Sequence, residues 1–183
     1  MEKTDREIMF AGELSSFLDP KLLELRKQVR ILNAELQETQ NNDTKRIAIT
    51  KEILGTSDDT TYLEKNAHFD YGVNTHVGKN FYMNANCVIL DGAHVDIGNN
   101  VTFGPNVQIY TASHPLEAAA RNSGLEVSKP IKIGNNVRVG GGAIILPGVT
   151  IGDNAVIGFG ALVTKDVPAN VLVVGNPAKI VKN

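Results

Sequence analysis

At 183 residues the chain is long enough for one sizeable core plus an accessory segment, and too short to suggest several domains. Its 18 basic and 20 acidic side chains leave a net charge of -2 with no basic arm, which gives no electrostatic footprint for nucleic acid. No apolar run approaches the ~20 residues of a membrane helix. No basic, apolar leader opens the sequence, and its 1 cysteine cannot form an internal disulfide, so a cytoplasmic protein without a membrane partner is expected.

Residues 1–55 carry helical spacing. Asp19 is suited to cap a helix that starts at Pro20, where a missing N–H costs nothing. Leu22, Leu25, Val29, Leu32 and Leu36 then form one stripe, with Arg26, Lys27, Arg30 and Glu35 mostly off it. A second helix is expected from Asp43 to Leu54, stopped by Gly55. The segment reads as a helical cap over the open end of the larger, C-terminal part of the chain.

Residues 56–183 change to short extended pieces. An aliphatic or aromatic residue, often followed by glycine, recurs on a six-residue clock at Ile97, Phe103, Ile109, Ile133, Val139, Ile145, Ile151, Ile157 and Val163. A smaller row follows four residues behind, including Val101, Val107, Ala143 and Ala155. Two inward rows with so short a period describe a solenoid, whose units bury their apolar side only by stacking. Gly98-Asn99-Asn100 and Gly134-Asn135-Asn136 supply corner residues that tolerate positive φ. An earlier series at Val77, Met83 and Ile89 slips by two residues before Ile97, which predicts an irregular coil between Asp91 and Asp96. Cys87 falls on the small row and reads as a core thiol.

Residues 110–132 keep the register at both ends and lose the pattern between, so they are expected to leave the solenoid as a protruding loop. The loop carries His114, Glu117, Arg121, Glu126 and Lys129. A neutral imidazole takes a proton from a hydroxyl near neutral pH without a metal, which makes His114 the candidate base. Phosphate-cradle and zinc-protease motifs are missing, and Gly140-Gly141-Gly142 lies inside the repeats instead of opening a helix. No metal site is expected, since His68, His76, His94 and His114 are scattered.

The combination of Asn80-Phe81-Tyr82-Met83-Asn84, Ile109-Tyr-Thr-Ala-Ser-His-Pro115, Pro147-Gly-Val-Thr-Ile-Gly152, Val163-Thr-Lys-Asp-Val-Pro168 and Gly175-Asn-Pro-Ala178 resembles the maltose and galactoside O-acetyltransferases. Ala11-Gly12-Glu13-Leu14 is similar to that group's opening motif, so the resemblance spans nearly the whole chain. It implies a mainly β fold, a left-handed parallel β-helix of hexapeptide repeats. It also implies a homotrimer with active sites between subunits, and direct transfer of acetyl from acetyl-CoA to a sugar hydroxyl.

Residue by residue, the resemblance makes His114 the general base, places Asn84 near the acetyl group and acceptor, and gives Gly141 the backbone N–H facing the oxyanion. Ser16, Asp70, Asn84, Asp91 and Glu126 match acceptor-contacting positions. Gly141, Phe159, Thr164, Lys165, Lys179 and Lys182 correspond to coenzyme A contacts. The chain departs from its relatives at Gly92, where galactoside relatives carry a carboxylate, at Arg138, where tryptophan is common, and at Ser15-Ser16-Phe17. The acceptor therefore stays open between a sugar and an antibiotic hydroxyl. A non-catalytic scaffold and a zinc enzyme of the same helix type are the remaining alternatives.

Overall fold

The computed structural model describes residues 4–16, 18–39 and 44–182, with the side chains of Asp5 and Lys182 left out. Short strands wind into a parallel solenoid of about six turns with three flat faces. The first face stacks Thr75–Val77, Val95–Ile97, Ile131–Ile133 and Thr150–Ile151. The second runs from Tyr62–Leu63 through Tyr82–Met83, Thr102–Phe103, Arg138–Val139 and Val156–Ile157 to Leu172–Val174. There the antiparallel strand Lys179–Lys182 ends it. The third stacks His68–Phe69, Val88–Leu90, Gln108–Tyr110, Ile144–Ile145 and Leu162–Val163.

All nine lead residues of the six-residue clock are buried, and so is the smaller row behind them. The smaller row precedes each strand at an edge of the prism, where converging walls leave room for valine or alanine only. Each large aliphatic removed from water contributes about 1.5–3 kcal/mol, and one strand alone could bury none of them.

The edge between the first and second faces is built by asparagine. Asn80, Asn100, Asn136, Asn154 and Asn170 all take φ between 56° and 63°. Their side chains bond to one another in a continuous ladder at 2.8–3.0 Å. The edge between the second and third faces turns through Asn66, Asn86 and Asn106 in the first three coils and through Gly142 and Gly160 in the next two, and glycine lines its coil-to-coil contacts in the later coils. A Cβ on Gly104 would lie 2.5 Å from the Gly141 nitrogen of the next coil, so that coil-to-coil approach requires glycine.

Regular coils are 18 residues long, as in the pairing of Arg138 with Val156. Thr102 pairs with Arg138, 36 residues later, so the protruding segment contributes one further coil's worth of chain and the clock resumes in phase. The first coils are 20 residues long, as in Tyr62 with Tyr82 and Tyr82 with Thr102. Their extra residues lie at the third edge, after Phe69 and after Ile89, which locates the expected slip and shows that the preceding coil shares it.

The helices are α1 (Asp5–Phe10), α2 (Pro20–Glu38), α3 (Thr44–Ile53) and α4 (Ala118–Asn122). Asp19 caps α2 as expected, accepting from the N–H groups of Lys21 and Leu22 at 2.9 and 3.0 Å. Asp43 lies outside the described residues. Gly55 does not end α3 by a left-handed turn; a side chain there would strike Val73 O and His76, so it is a point of close approach. Buried Arg46 on α3 donates to Leu63 O at 2.8 Å and Leu36 O at 3.3 Å, tying the C-terminus of α2 to the first coil. Val29, Leu36, Ile49 and Ile53 join the solenoid's own core cluster.

Candidate active site

The third edge is the irregular one in three successive coils, and the predicted chemistry gathers there. In the first two coils the additional residues form corners around Asp70 to Asn74 and Asp91 to His94. Asp91 is fully buried. Its Oδ1 accepts from the Tyr71 N–H at 2.8 Å and its Oδ2 from the Thr75 hydroxyl at 3.0 Å. Burial pushes its pKa up, opposed by these bonds. The carboxylate thus faces the preceding coil, and both of its oxygens are engaged there.

In the third coil the edge opens into the protruding segment, which is structured throughout. Ala112–Ser113 pairs antiparallel with Leu125–Ser128, and Ser15–Ser16 adds a third strand from the N-terminal segment. Glu117 caps α4 by accepting from the Ala119 and Ala120 N–H groups at 2.9 and 2.6 Å. Arg121 donates to the Pro115 and Leu116 carbonyls at 3.0 and 2.9 Å. Glu117 and Arg121 therefore build the loop. Its rigidity presents His114, an exposed side chain whose Nδ1 lies 3.3 Å from Leu125 O. A carbonyl only accepts, so in the neutral ring Nδ1 carries the hydrogen and Nε2 carries the lone pair. That is the tautomer a base needs.

Strand alternation sends Glu126 and Ser128 inward and leaves Leu125 and Val127 on the other side. Glu126 is 7% exposed, and burial raises its pKa. Arg26 and His114 lower it, whereas Asp70 raises it further. Arg26 comes from α2: its Nε lies 3.6 Å from Asp70 Oδ1, its guanidinium sits 4.9 Å above the Tyr71 ring, and it donates to the Tyr71 hydroxyl. Asp70, His114, Glu126, Arg26, Arg30 and Tyr110 line one pocket of about 470 Å³, within the range of small-molecule sites. A groove of about 600 Å³ on the first face, bordered by His76, Asp96 and Lys132, is larger but does not include His114.

The other predicted residues lie elsewhere. Asn84 stands at the glycine edge of the second coil, its Oδ1 accepting from the Ala85 N–H at 2.7 Å, beside the short Asn66–Asn86 ladder but outside it. Gly141 is on that same edge two coils on, and Phe159, 78% exposed, follows in the next. One strand and its turns, roughly 20 Å of extended chain, separate this edge from His114. Exposed Thr164 and Lys165 are at the third edge of the fifth coil. Exposed Lys179 begins the last strand. Lys182 pairs through its backbone with Leu172, and its side chain lies outside the described residues. Ser16 pairs with Leu125, and its Oγ accepts from the Leu18 N–H at 3.2 Å, which turns the chain toward α2. Phe17 lies outside the described residues.

Gly92 has a local cause. A Cβ there would lie 2.6 Å from the hydroxyl oxygen of fully buried Ser128, so serine fills the space that a carboxylate would need. Cys87 is a core thiol, fully buried, its pKa pushed up by burial to about 11. Among the described residues no group of three His, Cys, Asp or Glu side chains is placed to hold a metal ion. No described helix is long and apolar enough to cross a membrane. Sequence reasoning missed Arg26 and Arg30 as pocket residues. Their signal was two arginines four apart, off the apolar stripe of a helix whose docking direction spacing does not reveal.

Residues 130–165 match the bacterial transferase hexapeptide family of six repeats. The galactoside O-acetyltransferase of Escherichia coli (strain K12) is 40% identical over 173 residues, covering 94% of this chain and 85% of its own. The crystal structure of a maltose O-acetyltransferase from Clostridium difficile 630 superposes with a TM-score of 0.96 at 44% identity, covering 99% of this chain and 97% of that one. A hexapeptide-repeat acetyltransferase from Vibrio cholerae O1 biovar eltor, complexed with acetyl coenzyme A, gives 0.91 at 33% identity, covering 99% and 98%. A mirror-image solenoid would not superpose in this way, so the solenoid is a left-handed parallel β-helix, and the chain belongs to the hexapeptide-repeat acetyltransferases.

Proposed function

We propose that the chain transfers the acetyl group of acetyl-CoA to a sugar hydroxyl, with His114 as the general base. The observation that carries this reading is the Nδ1 contact to Leu125 O, which leaves Nε2 as the proton acceptor inside a pocket of carboxylates and guanidinium groups. Such a pocket suits a polyhydroxyl acceptor, whose hydroxyls both donate and accept. As Nε2 takes the hydroxyl proton, the oxygen forms a bond to the thioester carbon. The carbon–sulfur bond then breaks, and the proton passes from the imidazolium to the departing thiolate. The negative oxygen formed on the way needs a donor, and the Gly141 N–H is kept clear of side chains by Gly104.

Asn84, Gly141 and Phe159 meet His114 only if a second copy brings its glycine edge to this chain's third edge. A cyclic trimer with the third faces turned inward does that. The outer rows of that face support it: beside His68, Gln108 and Tyr110 they present Val88, Leu90, Ile144, Leu146 and Leu162, apolar and half-buried. On the first face the corresponding rows carry His76, Asp96, Lys132 and Thr150. Thr164, Lys165 and Lys179 then border the groove for acetyl-CoA.

The test is His114→Ala, assayed by thiol release with maltose, glucosides and galactosides as acceptors. Turnover should fall by ~10²–10⁴ with the melting temperature unchanged. Near-normal turnover in the folded variant would sink the mechanism.

A further inference from the structure

Two carboxylates line the pocket beside His114, one of them buried, and each charge makes the other harder to form unless a cation compensates. Asp70 comes from the third edge of the first coil and Glu126 from the inward side of the strand Leu125–Ser128. The compensating charge reaches in from the N-terminal segment, 44 residues before Asp70 in the sequence. The geometry points to Arg26 as a positioning residue whose guanidinium is held against Asp70 in the pocket that Glu126 also lines, so that a carboxylate and not a carboxylic acid stands beside His114. This rests on the reading of His114 as the base, because an ionised Glu126 matters catalytically by stabilising the imidazolium that forms there.

Three features fix Arg26 in that role. Its Nε lies 3.6 Å from Asp70 Oδ1. Its guanidinium is stacked 4.9 Å over the Tyr71 ring and donates to that ring's hydroxyl, so its place does not depend on the salt bridge alone. Tyr71 is itself held by the bond from its N–H to Asp91 Oδ1, which gives the buried aspartate a purpose in this scheme. The charged and titratable groups that share the pocket with Glu126 are Arg26 and Arg30 from α2, Asp70 from the first coil, Tyr110 from the third coil and His114 from the protruding segment, with the Tyr71 ring packed under Arg26. Burial and Asp70 favour the protonated acid; Arg26 and His114 oppose them. Of the two groups that oppose them, Arg26 is the one whose guanidinium stays charged at every pH the enzyme meets.

The experiment follows the Glu126 carboxyl carbon by NMR in protein with isotope-labelled glutamate, assigned by Glu126→Gln, together with the pH profile of kcat/KM with maltose and acetyl-CoA. In Arg26→Gln the Glu126 titration should move to higher pH and the acid limb of kcat/KM should move with it. The loss should be about tenfold on the acid side for each unit of displacement and should close as the pH rises. Asp70→Asn should move the titration the opposite way, and Arg26→Lys should restore most of the wild-type profile. An unchanged Glu126 titration in Arg26→Gln, or a loss equal at every pH, overturns the assignment. If Arg26→Gln does not fold, an unmoved titration in Asp70→Asn overturns it instead. The carboxyl titration is read on the resting protein, so it can fail while His114→Ala still abolishes transfer; conversely, full turnover in His114→Ala removes the mechanism and leaves the titration standing.

Discussion

The asparagine edge and the third edge are joined to the same first-face strands, yet they are built on opposite terms. Along the asparagine edge one residue type repeats coil after coil with φ near 60°, each amide bonded to the next. Along the third edge the coils change: two carry extra residues, one sends out a three-stranded sheet with a short helix, and the fifth turns through Thr164 and Lys165. Repetition lets a polar edge satisfy itself by stacking, so it has nothing left to offer a ligand. The irregular edge leaves charged groups without a copy of themselves above and below, and Asp70, Glu126 and His114 meet there for that reason.

The contrast can be tested by damaging each edge. The largest loss of stability is expected from Gly104→Ala at the regular glycine edge, since its Cβ would meet the Gly141 nitrogen and Cα at 2.5 and 2.9 Å. Backbone on both sides cannot retreat, and about 1–3 kcal/mol or more should be lost, visible as a drop in melting temperature. Asn136→Ala should cost less, about 1–2 kcal/mol, from a left-handed conformation forced on alanine. Asn136→Gly would keep the conformation and lose only the ladder bonds at 3.0 Å, so glycine should be the milder change in a denaturant titration.

The smallest effect is expected from Glu126→Gln, and it should depend on pH. Burial raises the Glu126 pKa, so the folded state holds that proton more tightly than the unfolded chain does. Its contribution is therefore greatest below the ordinary carboxylate range and is lost as pH rises through the raised value. Glutamine removes that decline, and unfolding free energies measured across a pH series should converge with wild type at the acid end and exceed it at neutral pH. An identical pH slope in the two proteins would mean that Glu126 is not held in a buried, charged setting.

Much of the solenoid was legible because its rules are local. Ile97 to Val163 announce the inward rows by period alone, and Asn100 and Asn136 announce the edge by their tolerance of positive φ. His114 was legible from the place where the pattern stops. Asp91 was less so: its motif matched an acceptor contact, but its burial and its bonds to Tyr71 and Thr75 depend on which way a corner folds. Arg26 was marked only by its spacing from Arg30 off the apolar stripe, and whether such a polar helix position meets solvent or a pocket depends on what the helix packs against.

By itself the sequence determined the winding: a six-residue period with one large and one small inward slot can bury apolar side chains only by stacking coil on coil. It also determined where the winding is interrupted. Tertiary structure decided what the interruption means. The N-terminal segment contributes Arg26 and the Ser15–Ser16 strand to the same edge that projects His114, through contacts that join residues from 44 to 111 positions apart in the chain. Period and propensity act over a turn or a coil, whereas the charge balance of the pocket is set by which distant segments are packed against one another.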